Sequence, residues 1–248
     1  MKYLVIGPAA MGYFAFLGFL KSKEKEIQEV EEISGSSAGA ILALFLAVGL
    51  SIDEIISFSF ELDVPEFVKY NIGCFFNKFG FVDVDPIRLK LIELCKGNPT
   101  FNELNKKIYI SAFCLNTGKT EYFSADTHPT MHVIDAVCMS ISIPFIFSAY
   151  KHNGFTYVDG GVVEMAPYFP FLHRKPYEVL CIYLKDYQHF QENIENPIQF
   201  LESLVKACLR NRINDIKGVE IDIGSDINIF DFSMSYEDKL KLFCRQYI

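Results

Sequence analysis

The chain has 248 residues, half of them hydrophobic and 15% aromatic, with a formal net charge of −8. That length suits one sizeable domain with a real core, and the composition is globular, not disordered. The acidic balance argues against a nucleic-acid partner, which needs a basic field, and gives the chain as a whole no attraction to an anionic membrane.

Lys2–Ile6 is a short apolar run that reads as a buried strand. "GPAAMG" (Gly7–Gly12) breaks it, and "YFAFLGFLKS" has a helical pattern. The charged "KSKEKE" reads as a solvated connection, and a second strand is expected near Val30–Ser34. Ala38–Val48 is apolar on nearly every side, as in a helix buried in the core. The apolar run to Leu50 is too short to span a bilayer. Ser51–Glu61 reads as a helix with Ser51 near its N-cap. Asn71–Asp85 is aromatic and contains two glycines. Its Phe75, Phe76, Phe79 and Phe81 fit either a lid or lipid-contacting flap, or a packed core segment.

Pro86 can start a helix that runs to Cys95. "KIYISAFCLN" and "KTEYFSA" are strands around a Thr117-Gly118 turn, a hairpin pattern. His132–Ser140 is helical, Pro144 ends that region, and "FTYVDGG" runs from a strand into a turn. "YEVLCIYLKD" is a further strand and Pro197–Arg210 a long helix. "VEIDIG" and "INIFDF" read as short strands, and Tyr236–Tyr247 as a closing helix. Strands alternate with helices and no linker or repeat interrupts them. The pattern predicts a layered α/β fold in one domain over residues 1–248.

The seven cysteines are scattered, with no zinc-type spacing, and read as free thiols in a reducing compartment. The start of the chain enters a strand directly and lacks the features of a signal peptide, so a cytoplasmic protein is expected, peripheral at membranes at most.

The stretch Glu31–Leu50 carries the chemistry. "GSSAG" matches G-x-S-x-G with Gly35, Ser37 and Gly39. A predicted strand precedes it and an apolar helix follows, the context this motif requires. Glycines at both flanks let strand and helix pass close to a sharply turned serine. The helix N-terminus beneath Ser37 would stabilise developing negative charge. The alternative is that Ser37 merely caps that helix.

Three further stretches bear on the choice. "SISIPFIFSAY" (Ser140–Tyr150) precedes "VDGG" (Val158–Gly161), and a glycine-containing loop follows the first strand. Together with "GSSAGA" they resemble the patatin-like phospholipase family, over Met1 to about Leu172. The resemblance implies a three-layer α/β/α fold with a central, mostly parallel sheet. It implies a Ser–Asp dyad of Ser37 as nucleophile and Asp159 as general base, supported by Gly35, Gly39, Gly160 and Gly161. The substrate would be a lipid ester, a phospholipid or lysophospholipid, met in transient contact with a membrane surface. No metal or organic cofactor is implied.

In this family the backbone N–H groups of the first loop bind the oxyanion, here Gly7, Ala9, Ala10, Met11 and Gly12, with Ala38. The loop departs from the usual G-G-G-x-[RK]-G: Pro8 has no N–H to donate, and Met11 replaces a basic residue. The usual asparagine after the aspartate motif is also lost, in Met165-Ala166-Pro167. These departures leave open a second reading, a weakly active or inactive relative that binds lipid or a protein partner.

Other constellations are weaker. His173 or His189, following Asp159, would complete an α/β-hydrolase-type triad. Ala9 stands where a dinucleotide fingerprint needs its second glycine, and no P-loop lysine follows Gly12. Pro129 spoils a helical pairing of His128 with His132 as metal ligands.

Overall fold

A computed structural model describes residues 1–185, 194–210 and 218–247. β1 (Tyr3–Ile6) leads through a 3-10 turn (Ala10–Gly12) into α1 (Tyr13–Ser22) and α2 (Glu24–Gln28). β2 (Glu32–Ser36) runs directly into α3 (Ala38–Val48). Then come α4 (Ile52–Glu61), α5 (Val64–Phe67), α6 (Ile72–Lys78), β3 (Gly80–Val82) and α7 (Asp85–Leu94). The hairpin of β4 (Lys107–Cys114) and β5 (Lys119–Phe123) precedes α8 (Val133–Ser140), β6 (Phe145–Phe147), β7 (Tyr150–His152) and β8 (Phe155–Asp159). β9 (Val179–Leu184), α9 (Pro197–Arg210), β10 (Val219–Ile221) and α10 (Tyr236–Tyr247) follow.

The fold is α/β with a central, largely parallel sheet in the order β10-β9-β1-β2-β4-β8-β7, β5 also pairing with β4. The first five of these strands run parallel; β5, β7 and β8 supply the antiparallel pairs. Strand alternation sorts the side chains. Leu4, Ile6, Ile33, Ile110 and Ala112 face the main core, which α1, α3 and α8 cover. Tyr3 and Val5 face the other side, where Ala166 and Phe171 close a smaller cluster.

The apolar circumference of α3 follows from this placement. Leu42, Ala43, Leu44 and Phe45 are all buried, and each large side chain removed from water contributes about 1.5–3 kcal/mol. Gly49 ends the helix in the left-handed conformation, φ 96°. Ser51 caps α4 with Glu54 in a reciprocal capping box.

Several elements differ from the sequence reading. "KSKEKE" contributes to the short helix α2, because Ile27 just beyond it turns inward and is buried. The aromatic stretch 71–85 divides into α6 and β3. "INIFDF" forms no strand among the described residues. Asn228 folds it into turns, its side chain accepting from the Phe230 N–H and its carbonyl from the Asp231 N–H. The short strands β6 and β7 carry too little pattern to be expected from sequence.

One feature of β4 organises the functional region. Ile110–Cys114 pair with β5 along one edge. On the opposite edge, Lys107–Ser111 pair with β2, and Ala112–Cys114 pair with β8. β2 and β8 therefore share an edge and meet with their C-terminal ends facing each other. Ser36 is the partner of Ser111 and Asp159 the partner of Ala112. The two sit on neighbouring rungs, a rise of about 3.3 Å along β4.

Candidate active site

Ser37 stands between the last residue of β2 and the first of α3, with φ 55° and ψ −126°. A non-glycine residue there is strained by about 1–3 kcal/mol and persists only where its surroundings enforce it. They do so by close packing. A Cβ on Gly35 would lie 2.5 Å from the Gly39 carbonyl oxygen, and one on Gly39 only 2.3 Å from that of Ile6. The helix start thus presses on both β1 and β2, and only glycine fits at either position. The side chain of Ser37 makes no capping bond to α3, which answers the capping alternative raised by the sequence.

The segment Ser140–Ser142 fastens both halves of the site. The Ser37 N–H donates to Ser140 Oγ at 2.8 Å, and the Asp159 N–H donates to the Ser142 carbonyl at 2.9 Å. Ser142 is itself fixed by donating to the Cys138 carbonyl at 2.7 Å. These roles for the serines of "SISIP" escaped the sequence reading, although the motif itself stood out. Asp159 is 3% exposed, and its Oδ1 accepts from the Gly161 N–H at 2.6 Å. Gly160 packs on β4, where a Cβ would approach the Ser111 carbonyl to 2.7 Å. Gly161 packs on Pro8, where a Cβ would come within 2.5 Å of the proline ring. The aspartate turn and the first loop are therefore in direct contact.

The amides of that loop divide into two sets. Gly7 donates to the Ile182 carbonyl, Met11 to that of Ile229 and Gly12 to that of Ala9. Pro8 has nothing to donate. Among the described residues, no acceptor is paired with the N–H groups of Ala9, Ala10 or Ala38. Ala10 holds φ 44°, the conformation that a glycine would adopt without strain. Met11 is buried in the main core.

Ser37 and Ala38 line an apolar cavity of about 180 Å³. Ile41 and Phe45 continue its wall along α3, about 12 Å beyond the serine over two helical turns. Met11, Phe58 and Leu91 face it from other elements. A polar pair also borders it, Tyr13 and Ser59, whose hydroxyls lie 2.9 Å apart. Burial pushes the Tyr13 hydroxyl well above its ordinary pKa, while the bond to Ser59 pulls the other way.

None of the described histidines is bonded to Ser37 or Asp159 or lines this cavity. His173 is exposed in a turn after the 3-10 segment Phe169–Phe171, and His189 lies outside the described residues. His128 bonds to Thr127 and His132 to the Asn98 carbonyl. The six described cysteines are free thiols.

A family model described as patatin-like phospholipase matches residues 4–172, more than half of the chain. The chain belongs to the patatin-like phospholipase family. It is 33% identical over 172 residues to uncharacterized protein R571 of Acanthamoeba polyphaga mimivirus, covering 65% of this chain and 58% of that one. It is 25% identical over 179 residues to probable lipid hydrolase 463L of invertebrate iridescent virus 6, covering 67% of this chain and 61% of that one. The chain thus spans about three fifths of the length of these relatives. Among solved structures, VipD from Legionella pneumophila superposes with a TM-score of 0.73 at 17% identity, covering 99% of this chain and 65% of that one. That likeness extends the shared fold past the matched family segment.

Proposed function

We propose that the chain is a lipid acyl hydrolase of the phospholipase A or lysophospholipase type, working through a Ser37–Asp159 dyad. The observation that carries the reading is the meeting of β2 and β8 on one edge of β4. It brings the last residue of β2, immediately before the strained Ser37, to the rung next to that of the buried Asp159, with the Ser140–Ser142 segment bonded to both Ser37 and Asp159. The apolar cavity beside Ser37 supports an acyl chain as the group bound there.

Asp159 takes the Ser37 hydroxyl proton as Oγ attacks the acyl carbon. The oxyanion that forms is met by the N–H groups of Ala9, Ala10 and Ala38 and by the N-terminus of α3. Its collapse expels the alcohol, which leaves with the proton from Asp159. Water, deprotonated by the same carboxylate, then attacks the acyl-serine; the acyl–Oγ bond breaks, Ser37 Oγ takes the proton back from Asp159, and the fatty acid departs. No step calls for a metal or organic cofactor. Substrate is drawn from a membrane surface in transient contact. We read residues 1–248 as one domain, because the main core draws residues from Leu4 to Leu242.

Labelling with a fluorophosphonate probe tests the assignment. The parent is expected to label, Ser37→Ala not at all, and Asp159→Asn slower by about 10²–10⁴-fold, the usual contribution of a general base. His173→Ala should label like the parent. A folded parent that binds lipid but neither labels nor hydrolyses would favour the lipid-binding relative. Loss in His173→Ala equal to that in Asp159→Asn would favour a triad.

A further inference from the structure

The short helix α6 and its flanks present large apolar side chains to solvent. Ile72, Phe76 and Phe79 are 63%, 74% and 55% exposed, and Tyr70 beside them is 47% exposed. Residues 72, 76 and 79 follow an i, i+4, i+7 spacing, one face of a helix. The opposite side of the segment is anchored. Phe75 stacks on Phe81 at 4.6 Å, and β3 pairs with β6. Asn71 caps α6 by accepting from the Gly73 and Cys74 N–H groups. The outward face therefore belongs to a well-bonded element.

Two observations say what covers this face. The first is continuity with the cavity. Val64, Phe67 and Val68 line the cavity beside Ser37, and the chain passes from them directly to Tyr70 and Ile72. On the other side of α6, β3 pairs with β6, whose Phe147 also lines the cavity. The second is charge. Lys78 is held at 2.8 Å by both Asp83 and Asp85. Lys151 lies 5.7 Å from the centre of the Phe79 ring, and Lys69 and Glu66 precede Tyr70. Lys78 and Lys151 thus stand beside the patch with Asp83 and Asp85, and Lys69 and Glu66 lead into it along the chain, an even count of opposite charges on a chain with a formal net charge of −8. An anionic surface would gain nothing here, whereas an interface without net charge accepts aromatic and aliphatic side chains at headgroup depth. The exposed Phe169 and Leu172 lack this link, since neither they nor their neighbours line the cavity.

We infer that the face made by Tyr70, Ile72, Phe76 and Phe79 is the docking surface for a zwitterionic lipid bilayer, from which an acyl chain passes along α5 into the cavity. The inference rests on the lipid-ester reading above and adds to it a surface and a lipid class.

The test uses the full chain with sucrose-loaded vesicles of phosphatidylcholine alone or mixed with phosphatidylserine. The parent and Ser37→Ala should sediment equally well with phosphatidylcholine vesicles, and added phosphatidylserine should not help. The combined Ile72→Ser, Phe76→Ser, Phe79→Ser variant should bind roughly tenfold or more weakly, yet hydrolyse a short water-soluble ester at the parent's rate. The chain contains no tryptophan, so the fluorescence of a Phe76→Trp variant reports on this position alone. Its emission should shift to the blue on phosphatidylcholine vesicles. Equal binding by the triple variant, an unshifted emission from Phe76→Trp, or binding that requires phosphatidylserine would overturn the inference. So would a parent dimer that the triple variant dissociates, since a second copy would then own the face. Vesicle binding by a parent that never labels with fluorophosphonate would support the surface while removing the hydrolase, so the two failures are distinguishable.

Discussion

Gly39→Ala separates the packing account of the serine turn from a simple account of helix propensity. Gly39 lies in the first turn of α3, where alanine favours a helix by about 0.8–1.0 kcal/mol over glycine. Propensity alone therefore predicts a stabilised variant. Packing predicts the reverse. A Cβ at this position would stand 2.3 Å from the Ile6 carbonyl oxygen and 2.7 Å from that of Gly7, where real Cβ atoms stay beyond 3.0 Å. Both obstacles are backbone, so α3 and the end of β1 must part by about 0.7 Å or more. Overpacking of this kind costs about 1–3 kcal/mol, which outweighs the propensity gain at all but the lowest end of that range.

The same displacement carries Ser37 away from the Ala9 and Ala10 amides. A misplacement on the order of 1 Å is worth about 10²-fold in rate. Equilibrium denaturation in urea reads the first effect, and the rate of fluorophosphonate labelling reads the second. A variant at least as resistant to urea as the parent that labels within about threefold of it would refute the reasoning.

Three other changes probe the same region. Ser140→Ala leaves the Ser37 N–H without its acceptor in a buried setting; a loss of about 1–3 kcal/mol is expected by denaturation, together with slower labelling, and Ser140→Thr should recover part of both. Met11→Arg restores the basic residue usual in the family, but here it would drive a guanidinium into the apolar cavity and main core. Destabilisation by several kcal/mol is expected, with no gain in turnover, and a faster, stable variant would show that the side chain has another exit. Glu164 bears on pH. Burial is the largest influence on its carboxyl and holds its pKa above the ordinary 4.5, against the lowering by Tyr122. The folded chain then binds more protons than the unfolded chain above that pH, so this group's contribution to stability falls as pH rises. Glu164→Gln should gain relative to the parent between acid and neutral pH, and a difference that is flat or reversed in sign across that range would count against it.

The elements that position the site were legible because their signals are local. Ala38–Val48 is apolar on nearly every side, Ser51 stands at a helix N-cap, and the Thr117-Gly118 turn lies between two strand patterns. The glycines at 35 and 39 announced a close approach of strand and helix before the structure showed what they touch. What could not be read was non-local. Nothing in the hairpin sequence says that β4 lends one edge to two strands in turn, yet that arrangement brings the end of β2, just before Ser37, to the end of β8 at Asp159. The bonds from Ser140 and Ser142 span long sequence separations and depend on where α8 ends. The stretch 71–85 was ambiguous for a related reason. Its inward and outward aromatics are the same residue type, and only pairing of β3 with β6 decides which is which. "INIFDF" alternates like a strand, but an asparagine side chain competes for its backbone and wins.

The altered first loop is best understood together with the turn it touches. In a loop made of glycines, flexibility lets any amide rotate toward an oxyanion, at a cost in conformational entropy. Here the work is divided among fixed residues. The Gly7, Met11 and Gly12 amides are committed to carbonyls at Ile182, Ile229 and Ala9, so these bonds anchor the loop at both ends. Pro8 fixes its own φ, and its ring occupies the space that a side chain at Gly161 would fill. The loss of a donor at position 8 thus brings a contact with the turn whose Gly161 N–H holds Asp159 Oδ1. Ala10 sits between these anchors with φ 44°, a conformation that costs an ordinary residue about 1–2 kcal/mol. The strain falls among the amides that lack an acceptor among the described residues, Ala9, Ala10 and, across the gap, Ala38. A loop that merely filled space would relax at Ala10; under the proposed oxyanion role, one held against relaxation from both sides keeps its donors aimed before any substrate arrives.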